Sequence, residues 1–308
     1  MVAKFKVVLR RLETMKRFQE ITKAIRFITG GELAKVRKEI NRRFAALGSF
    51  IPLFARKYTT FDVSINNTGR ADLDFETSEL SSETINNGVL VIPFTDDRGN
   101  CGAHNSMVLA YTATILDNLN SNGIRTKLYP IGLKARNFCE DYFKEDIIGS
   151  ITELGETRMK LDICFFYVEY FMSKNFNAYY LLFNRFWTME EQFITMYRLC
   201  NFTDFLNSIV RNSFSKYGIY YDAIITRALF PGFLEDLYIF GFSMFLLEAF
   251  CENKYSFLGA RYTAMDEMVN NSQEIIEKLT LIYNKLRQEH ITTEMIEIIS
   301  AKNAVMEL

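Results

Sequence analysis

The chain has 308 residues, 49% of them apolar, and a formal net charge of −1. This length and composition suit two folded units, although one extended molecule is also compatible. Its five cysteines are odd in number and none forms a C-x-x-C pair, which argues against a disulfide framework and favours a reducing compartment.

The small net charge conceals an uneven distribution along the chain. Residues 1–57 contain 15 Lys and Arg against 4 Asp and Glu, whereas residues 61–308 contain 21 and 33. A basic arm on an acidic body favours an acidic partner. Nucleic acid, a membrane surface, another protein and the chain's own acidic part all fit that description.

No segment is predicted to cross a membrane. The most apolar stretch, Leu237–Cys251, is interrupted by Glu248 and is too short to span a bilayer comfortably. No cleavable secretory signal is visible, and the basic start runs directly into helical periodicity, so we expect it to belong to the mature protein.

The first segment, residues 1–51, contains no proline and is predicted to form a long helix. Its apolar residues recur at steps of three and four, which draws one stripe on a helix surrounded by Lys and Arg. The stripe comprises Phe18, Ile21, Ile25, Ile28, Leu33, Val36, Ile40, Phe44 and Leu47. Gly30 and Gly31 lie inside it, and each glycine costs a helix about 1 kcal/mol relative to alanine. Close approach of another helix would explain the pair.

The middle of the chain alternates between short apolar runs and helical patterns. Strands are predicted at 88–95, 126–131 and 178–186, and helices at 107–119 and 134–142. This order implies a small Rossmann-like α/β domain with a mostly parallel sheet. Residues 61–87 are polar and are expected to be an exposed connector. Residues 187–230 are aromatic-rich and give no clear prediction.

The last segment carries the clearest coiled-coil pattern. Its predicted seam is Met265, Met268, Ser272, Ile275, Leu279, Ile282 and Leu286. These positions alternate steps of three and four over about three heptads, and Glu289 then breaks the pattern. Burying each Leu or Ile contributes roughly 1.5–3 kcal/mol, so this helix requires a partner. From Phe257 onward the chain has 5 basic and 8 acidic residues, a sign that complements the first helix.

These patterns together predict four parts. Residues 1–60 form a shaft helix, 61–87 a connector, 88–215 an α/β domain, and 216–308 a C-terminal segment that is mainly a second shaft helix from about residue 233. A helix of some 50 residues rises about 1.5 Å per residue and would measure roughly 75 Å, which is too long for an ordinary globular helix.

The residues that usually carry catalysis are scarce. Neither common nucleotide-binding loop is present, and Gly99-x-x-Gly102 is read as a tight turn before a helix rather than an anion site. A nucleophilic pair of Cys101 and His104 is conceivable but has no organised third member. His290 and Glu294 have the spacing of two metal ligands on a helix, but a solvated pair is favoured. We therefore predict no catalytic, cofactor or metal site, and no nucleic-acid binding.

Three separated stretches resemble one family, the gamma subunit of F-type (rotary) ATP synthases. The first, RRLETMKRFQEITKAIRFITGGELAK (10–35), contains the family's I-T-K-A core at residues 21–24. The second, DDRGNCGAHN (96–105), is similar to the family's S-D-R-G-L-C-G loop. Its matching residues are Asp97, Arg98, Gly99, Cys101, Gly102 and Asn105. The third, residues 260–301, follows the family's C-terminal pattern almost throughout.

The resemblance implies an antiparallel coiled coil of the terminal helices, standing inside a ring of alpha and beta subunits. It implies a non-catalytic rotor shaft that transmits torque between the membrane c-ring and the ring of beta subunits, where ATP is made. The implied partners are alpha and beta subunits, small rotor subunits of the delta or epsilon type, and the c-ring. The C-terminal pattern is more similar to mitochondrial members, which implies a peripheral location on the matrix side of the mitochondrial inner membrane.

Contacts between rotor and stator are expected where this chain matches the family's contact positions. These are Arg287 and Gln288 on the C-terminal helix, and Lys23, Ile25 and Arg26 on the N-terminal helix. An arginine fork suits a carboxylate-bearing loop of the beta subunit. The alternative function is a coiled-coil scaffold that tethers partners without rotating, and it gives no role to the DDRGNCG loop.

Overall fold

The computed structural model describes residues 2–47, 59–60, 88–153, 159–189, 191–211 and 232–306. The predicted connector, residues 61–87, lies outside these ranges. The chain divides into two compact units, which are described separately. One unit combines residues 1–31 with residues 262–308, and the other comprises residues 32–261.

The described elements, in chain order, agree with the predicted succession of a long helix, an α/β domain and a second long helix. They are α1 (Val2–Leu47), β1 (Thr59–Thr60), β2 (Val89–Pro93), α2 (His104–Ser121), β3 (Thr126–Leu128), α3 (Leu133–Tyr142), α4 (Leu161–Ser173), β4 (Ala178–Phe186), β5 (Gln192–Cys200), α5 (Phe202–Arg211) and α6 (Phe233–Met306). A short 3-10 turn, Lys144–Asp146, follows α3.

The sheet has five strands in the order β1-β5-β4-β2-β3. β2 pairs in parallel with both β3 and β4, as the strand-helix alternation predicts. β4 and β5 form an antiparallel hairpin, and β1 adds antiparallel to β5. The predicted fold is therefore confirmed, with a mixed sheet in which the parallel strands are β2, β3 and β4.

Helices cover both faces of this sheet. Val89 and Val91 of β2 pack with α2 and α3, whereas Leu90 and Ile92 of the same strand pack with α4, α5 and the first part of α6. Because successive side chains of a strand point to opposite faces, β2 reads as an unbroken apolar run, and all five of its residues are buried. Leu237–Cys251, the most apolar stretch of the sequence, belongs to the layer on the second face.

None of the helices within the described ranges combines the length and the apolar composition that a membrane span requires.

Candidate functional site

The two terminal helices pair within the first unit. Gln19 Nε2 on α1 donates to Gln273 Oε1 on α6 over 2.9 Å. Arg26, seven residues after Gln19 on α1, forms an ion pair with Asp266, which lies seven residues before Gln273 on α6. Since each advance along α1 is matched by an equal retreat along α6, the two helices run antiparallel. The paired antiparallel helices that the sequence and the resemblance predict are therefore present.

The seam on α6 differs in part from the predicted one. It comprises Met265, Val269, Ser272, Ile276, Leu279, Tyr283, Leu286 and His290, all buried or half-buried. The predicted positions Met265, Ser272, Leu279 and Leu286 lie on it. The prediction is wrong for Ile275 and Ile282, which are 42% and 48% exposed, and Met268 lies half-buried beside the seam. Both patterns are valid heptads that share four positions, and the position of α1 selects the one through Ile276.

The predicted break at Glu289 is also displaced. Glu289 is exposed, but the next residue occupies the seam, because the His290 ring lies 5.9 Å from the ring of Phe5 on α1. Tyr283, one heptad earlier, stacks on the same Phe5 ring at 5.1 Å. The contact between the helices therefore continues past Glu289.

The face that α1 presents to α6 includes several polar residues. Gln19, Thr22 and Thr29 are buried in the pairing face, as is Leu12. Three residues of the predicted apolar stripe are exposed: Phe18 is 44% exposed, Ile21 61% and Ile28 60%, whereas Leu33 of the same stripe is buried. The periodic pattern therefore predicts the helix, but these three apolar residues are not covered within the described part of the chain.

The buried polar groups of the pairing face have hydrogen-bond partners. Thr22 and Thr29 donate their hydroxyls to the carbonyls of Phe18 and Ile25, one turn earlier, at 2.9 and 2.8 Å. Gln19 bridges to α6 through Gln273. A satisfied hydrogen bond contributes only about 0.5–1.5 kcal/mol net, less than a buried Leu or Ile. The middle of this coiled coil is therefore held less tightly than an apolar seam would hold it.

The adjacent glycines of α1 have different surroundings. A Cβ added at Gly30 would lie 3.3 Å from Cε2 of Tyr262 on α6, whereas one added at Gly31 would meet nothing within 4 Å. The expectation of close helix approach is thus confirmed for Gly30. Gly31 faces open space in the described part of the chain.

This difference gives a matched pair of substitutions. We expect Gly31→Leu to stabilise the chain by up to about 1 kcal/mol, because leucine has the higher helix propensity. Gly30→Leu should destabilise it by about 1–3 kcal/mol, because Tyr262 has to move. Urea unfolding followed by circular dichroism at 222 nm measures both. Equal effects of the two substitutions would contradict the packing of Gly30 against α6.

The residues expected to touch a stator differ in their availability. Arg287 and Gln288 are exposed on α6, and Arg287 directly follows the seam residue Leu286. Arg26 is engaged with Asp266, and Lys23 donates to Gln19 Oε1 over 3.1 Å. Ile25 is half-buried. Arg26 therefore takes part in the pairing of the two helices, whereas the contact of Lys23 lies within α1 and the C-terminal pair is exposed.

In the second unit, the predicted family loop after β2 is closed by its own side chains. Asp97 Oδ1 accepts from the backbone N–H of Leu133, the first residue of α3, over 2.7 Å. Asn105 Oδ1 accepts from the N–H of Asp96, and its Nδ2 donates to the carbonyl of Arg98. Each contact ties the loop to itself or to a helix start. The side chains of Asp97 and Asn105 therefore hold the loop in its conformation.

The remaining residues of the family loop complete its turn. Gly102 has φ +57°, in the left-handed region that glycine adopts without strain, and Asn100 has the same φ. Arg98 and Gly99 are exposed. Cys101 is buried, and its sulfur lies 3.4 Å from Asn105 Nδ2.

Cys101 and His104 do not form a nucleophilic pair. Burial raises the pKa of the Cys101 thiol, and a thiol is reactive only as the thiolate. Burial lowers the pKa of His104 to about 4, and its Nδ1 lies 3.1 Å from the side-chain oxygen of Gln192 rather than close to sulfur. His290 and Glu294 are 3.4 Å apart, but no cluster of three or more potential metal ligands exists among the described residues.

Sequence comparison agrees with this geometry. A family model described as ATP synthase matches residues 4–305. The chain is 26% identical over 300 residues to the ATP synthase gamma chain of Ehrlichia canis, with 97% of this chain and 98% of the relative covered. It is 28% identical over 310 residues to that of Ehrlichia ruminantium, with 97% of each covered.

Solved structures share the fold. A chain of the Euglena gracilis mitochondrial ATP synthase, from its OSCP/F1/c-ring assembly in rotational state 3, is similar with a TM-score of 0.75 and 21% identity, covering 99% of this chain and 95% of that one. A chain of the central stalk and c-ring of the Tetrahymena thermophila enzyme gives 0.55 and 15%, covering 80% and 98%. With nearly its whole length matched, the chain belongs to the ATP synthase family and resembles its gamma chains.

Proposed function

We propose that this chain is the central rotor shaft of a proton-driven ATP synthase and transmits torque between a membrane c-ring and a ring of alpha and beta subunits. Catalysis takes place in the beta subunits, and this subunit supplies none of the reacting groups. The observation that carries the proposal is the antiparallel pairing of α1 with α6 in a gamma-chain relative. Family membership favours this function over a static scaffold.

The outward apolar residues of the paired helices support an enclosed shaft. On α1 these are Phe18, Ile21 and Ile28, and on α6 the terminal residues Ile291, Met295, Ile298 and Ile299 are 47–69% exposed. Exposed apolar patches mark surfaces that another molecule covers. A sleeve formed by the alpha and beta subunits would cover them while letting the shaft turn.

The proposed setting is the matrix side of the mitochondrial inner membrane, where the chain is peripheral. Its structural neighbours include chains of the Euglena mitochondrial rotor and of the Tetrahymena mitochondrial central stalk and c-ring. Small rotor subunits of the delta or epsilon type are further proposed partners. The curated relatives cited above are bacterial, so the family alone does not select the organelle.

Purification of the native complex tests the function directly. We expect this chain at one copy against three alpha and three beta subunits, fractionating with the inner membrane. A different stoichiometry, or failure to co-purify with alpha and beta subunits, would refute the rotor assignment.

Arg287 is the proposed torque contact on α6. Its exposed guanidinium is available for a carboxylate of the beta subunit, and a charged hydrogen bond contributes about 1.5–3 kcal/mol. We expect Arg287→Ala to lower coupled ATP synthesis about tenfold without loss of assembly. Lys285→Ala, an exposed charge two residues away, is the control and should change synthesis by less than about twofold. Unchanged coupling in Arg287→Ala would remove Arg287 from the contact.

A further inference from the structure

One turn and a half of α6 in the second unit contacts the sheet through a set of polar groups beside the apolar contact of Tyr255 with Phe186. We name this set of contacts the polar clamp. It comprises Glu252, Asn253, Lys254 and Ser256 of α6, with Asp96, His104, Asn184 and Gln192. All but Lys254 and Gln192 are at least 91% buried.

Two residues of the clamp complete the edge of β4. The pairing of β2 with β4 ends at Leu182, which leaves the next N–H groups on that side of β4 without a neighbouring strand. Asn253 Oδ1 accepts from the N–H of Asn184 over 3.3 Å, and the carboxylate of Glu252 accepts from the N–H of Phe186. Side chains of α6 thus accept the hydrogen bonds that a neighbouring strand would otherwise accept. Because Asn253 bonds to Asn184 and Glu252 bonds to Phe186, the two bonds together fix the rotation of α6 about its axis relative to β4.

A second part of the clamp joins α6 to β5. Gln192 Nε2 donates to the carbonyl of Ser256 over 2.9 Å, and the Ser256 hydroxyl donates back to Gln192 Oε1 over 2.9 Å. The same Oε1 lies 3.1 Å from Nδ1 of His104, the first residue of α2. Asn184 Nδ2 donates to the carbonyl of His104 over 2.9 Å. The clamp therefore joins α6, β4, β5 and α2 through one hydrogen-bonded group.

The third part reaches the family loop. Lys254 Nζ lies 3.5 Å from Oδ2 of the buried Asp96, whose backbone N–H is already held by Asn105. Close packing continues at Gly259, where an added Cβ would lie 2.6 Å from the ring of Phe186. The loop that carries the family motif is therefore attached to the same segment of α6 as β4 and β5.

The apolar part of α6 and the clamp constrain the helix differently. Tyr238, Phe242 and Phe245 bury α6 against the sheet, but apolar contact is non-directional, so it resists separation more than rotation about the helix axis. Buried hydrogen bonds depend steeply on angle, and leaving one partner unsatisfied is costly. The clamp is the part of this interface that resists rotation of α6.

We infer that the polar clamp is the point where torque passes between the α/β domain and α6, with Asn253 and Ser256 as the positioning residues. This inference rests on the proposed rotor function. It gives the DDRGNCG loop a mechanical role, since Asp96 and His104 hold the helix that the domain has to turn. Loosening the clamp should let α6 slip under load while the chain stays folded and assembled.

The test uses the complete ATP synthase reconstituted in vesicles. We expect the double variant Asn253→Ala/Ser256→Ala to reduce the ratio of proton-driven ATP synthesis to ATP hydrolysis roughly threefold or more, as expected for losing two directional hydrogen bonds. The conservative double variant Asn253→Asp/Ser256→Thr retains both oxygens and should restore at least half of the ratio. Ser121→Ala, an exposed hydroxyl at the end of α2, is the matched control and should leave the ratio unchanged.

The possible outcomes distinguish a failure of the clamp proposal from a failure of the proposed rotor function. If the alanine variant assembles but keeps the wild-type ratio, or if the conservative variant loses as much as the alanine variant, the clamp does not carry torque. If the unaltered chain does not co-purify with alpha and beta subunits, the rotor function itself fails. Where the alanine double variant does not assemble, the single variant Ser256→Ala is measured in the same way against Ser121→Ala.

Discussion

Replacing Glu248 with glutamine is expected to stabilise the α/β unit by about 3 kcal/mol at pH 8 and to leave its stability at pH 4 nearly unchanged. Burial raises the pKa of the Glu248 carboxyl to about 7 from a usual value of 4.5, with the nearby Glu252 adding to the effect. Arg185 and a hydrogen bond from Tyr197 act in the opposite direction. Each unit of pKa change corresponds to about 1.4 kcal/mol.

The sign of this effect follows from which state binds the proton more tightly. The folded chain holds the Glu248 proton more tightly than the unfolded chain does, so the contribution of this group to stability is complete below pH 4.5. It is lost as the pH rises through about 7, where the buried carboxyl ionises. Glutamine keeps a neutral side chain at every pH and removes this loss.

Urea unfolding between pH 4 and pH 8, followed by the fluorescence of Trp187, measures the effect. Trp187 is the only tryptophan of the chain, and its ring lies 6.1 Å from Phe193 in the β4–β5 hairpin, so it reports on the α/β unit. Glu235→Gln, at an exposed carboxylate in the first turn of α6, is the control and should shift stability by less than about 0.5 kcal/mol. A constant difference between wild type and Glu248→Gln from pH 4 to pH 8 would contradict the raised pKa.

Local pattern was sufficient to predict much of the α/β domain. The third predicted strand, 178–186, coincides with β4, and the second shaft helix begins at Phe233 as expected. Strands buried on both faces give short apolar runs that a sequence displays directly. β5 was not predicted, because its sequence QFITMYRLC lacks the strict polar–apolar alternation of a half-buried strand and lies inside an aromatic-rich region with no clear boundary.

The seam could not be predicted in full, for a physical reason. On α6, Ile275 and Ile276 are equally apolar neighbours, and each completes a heptad with Met265 and Leu279. Only the position of α1 decides between them. On α1, hydrophobicity alone does not identify the contact face, because Gln19 bonds to α6 while Ile21 is 61% exposed. Periodicity identifies a helix that needs apolar contact, but it does not say whether that contact lies within the chain or in another subunit.

The clamp was also beyond reach of the sequence. Asn184, Gln192 and Ser256 are common polar residues, Ser256 is 64 residues from Gln192, and nothing in their spacing indicates that they meet at His104. The motif DDRGNCGAHN is visible in the sequence because its residues are contiguous, and it lies at the polar clamp. The other residues of the clamp come from β4, β5 and α6, and only the fold brings them close to the loop.

The second large effect is expected on acidification, and it arises from His104. Burial lowers the pKa of this imidazole from 6.5 to about 4, so the ring is neutral in the folded chain at neutral pH. Protonation would give the ring a second N–H, and few hydrogen-bond acceptors lie close enough to receive it. Asn184 Nδ2 faces Nδ1 at 3.2 Å, and Nε2 is buried without a hydrogen-bond partner among the residues that the structure describes. The hydroxyl of Ser256 and the carboxylate of Asp96 are the other polar groups nearby.

Because the unfolded chain binds this proton more tightly, the contribution of His104 is complete above pH 6.5 and is lost as the pH falls through about 4. The loss amounts to about 3 kcal/mol. It runs opposite to the effect of Glu248 over the same range, so these two contributions should largely cancel between pH 4.5 and 6.5 in the wild-type chain. The Glu248→Gln variant lacks the Glu248 contribution and keeps that of His104. Its free energy of unfolding should therefore fall as the pH is lowered through this range.

Direct titration distinguishes this cause from the general effect of acid on carboxylates. The chain has only two histidines, so ¹³C labelling of the imidazole Cε1 gives two resonances, and His290→Gln assigns them. The His104 resonance should not move between pH 8 and pH 5.5. Gln192→Glu places a carboxylate where an amide oxygen now lies 3.1 Å from Nδ1, and it should raise the His104 pKa well above 4. If His104 of the wild-type chain titrates near 6.5, the ring is exposed to solvent, and the contacts that connect α2 with α6 through Gln192 are not formed in solution.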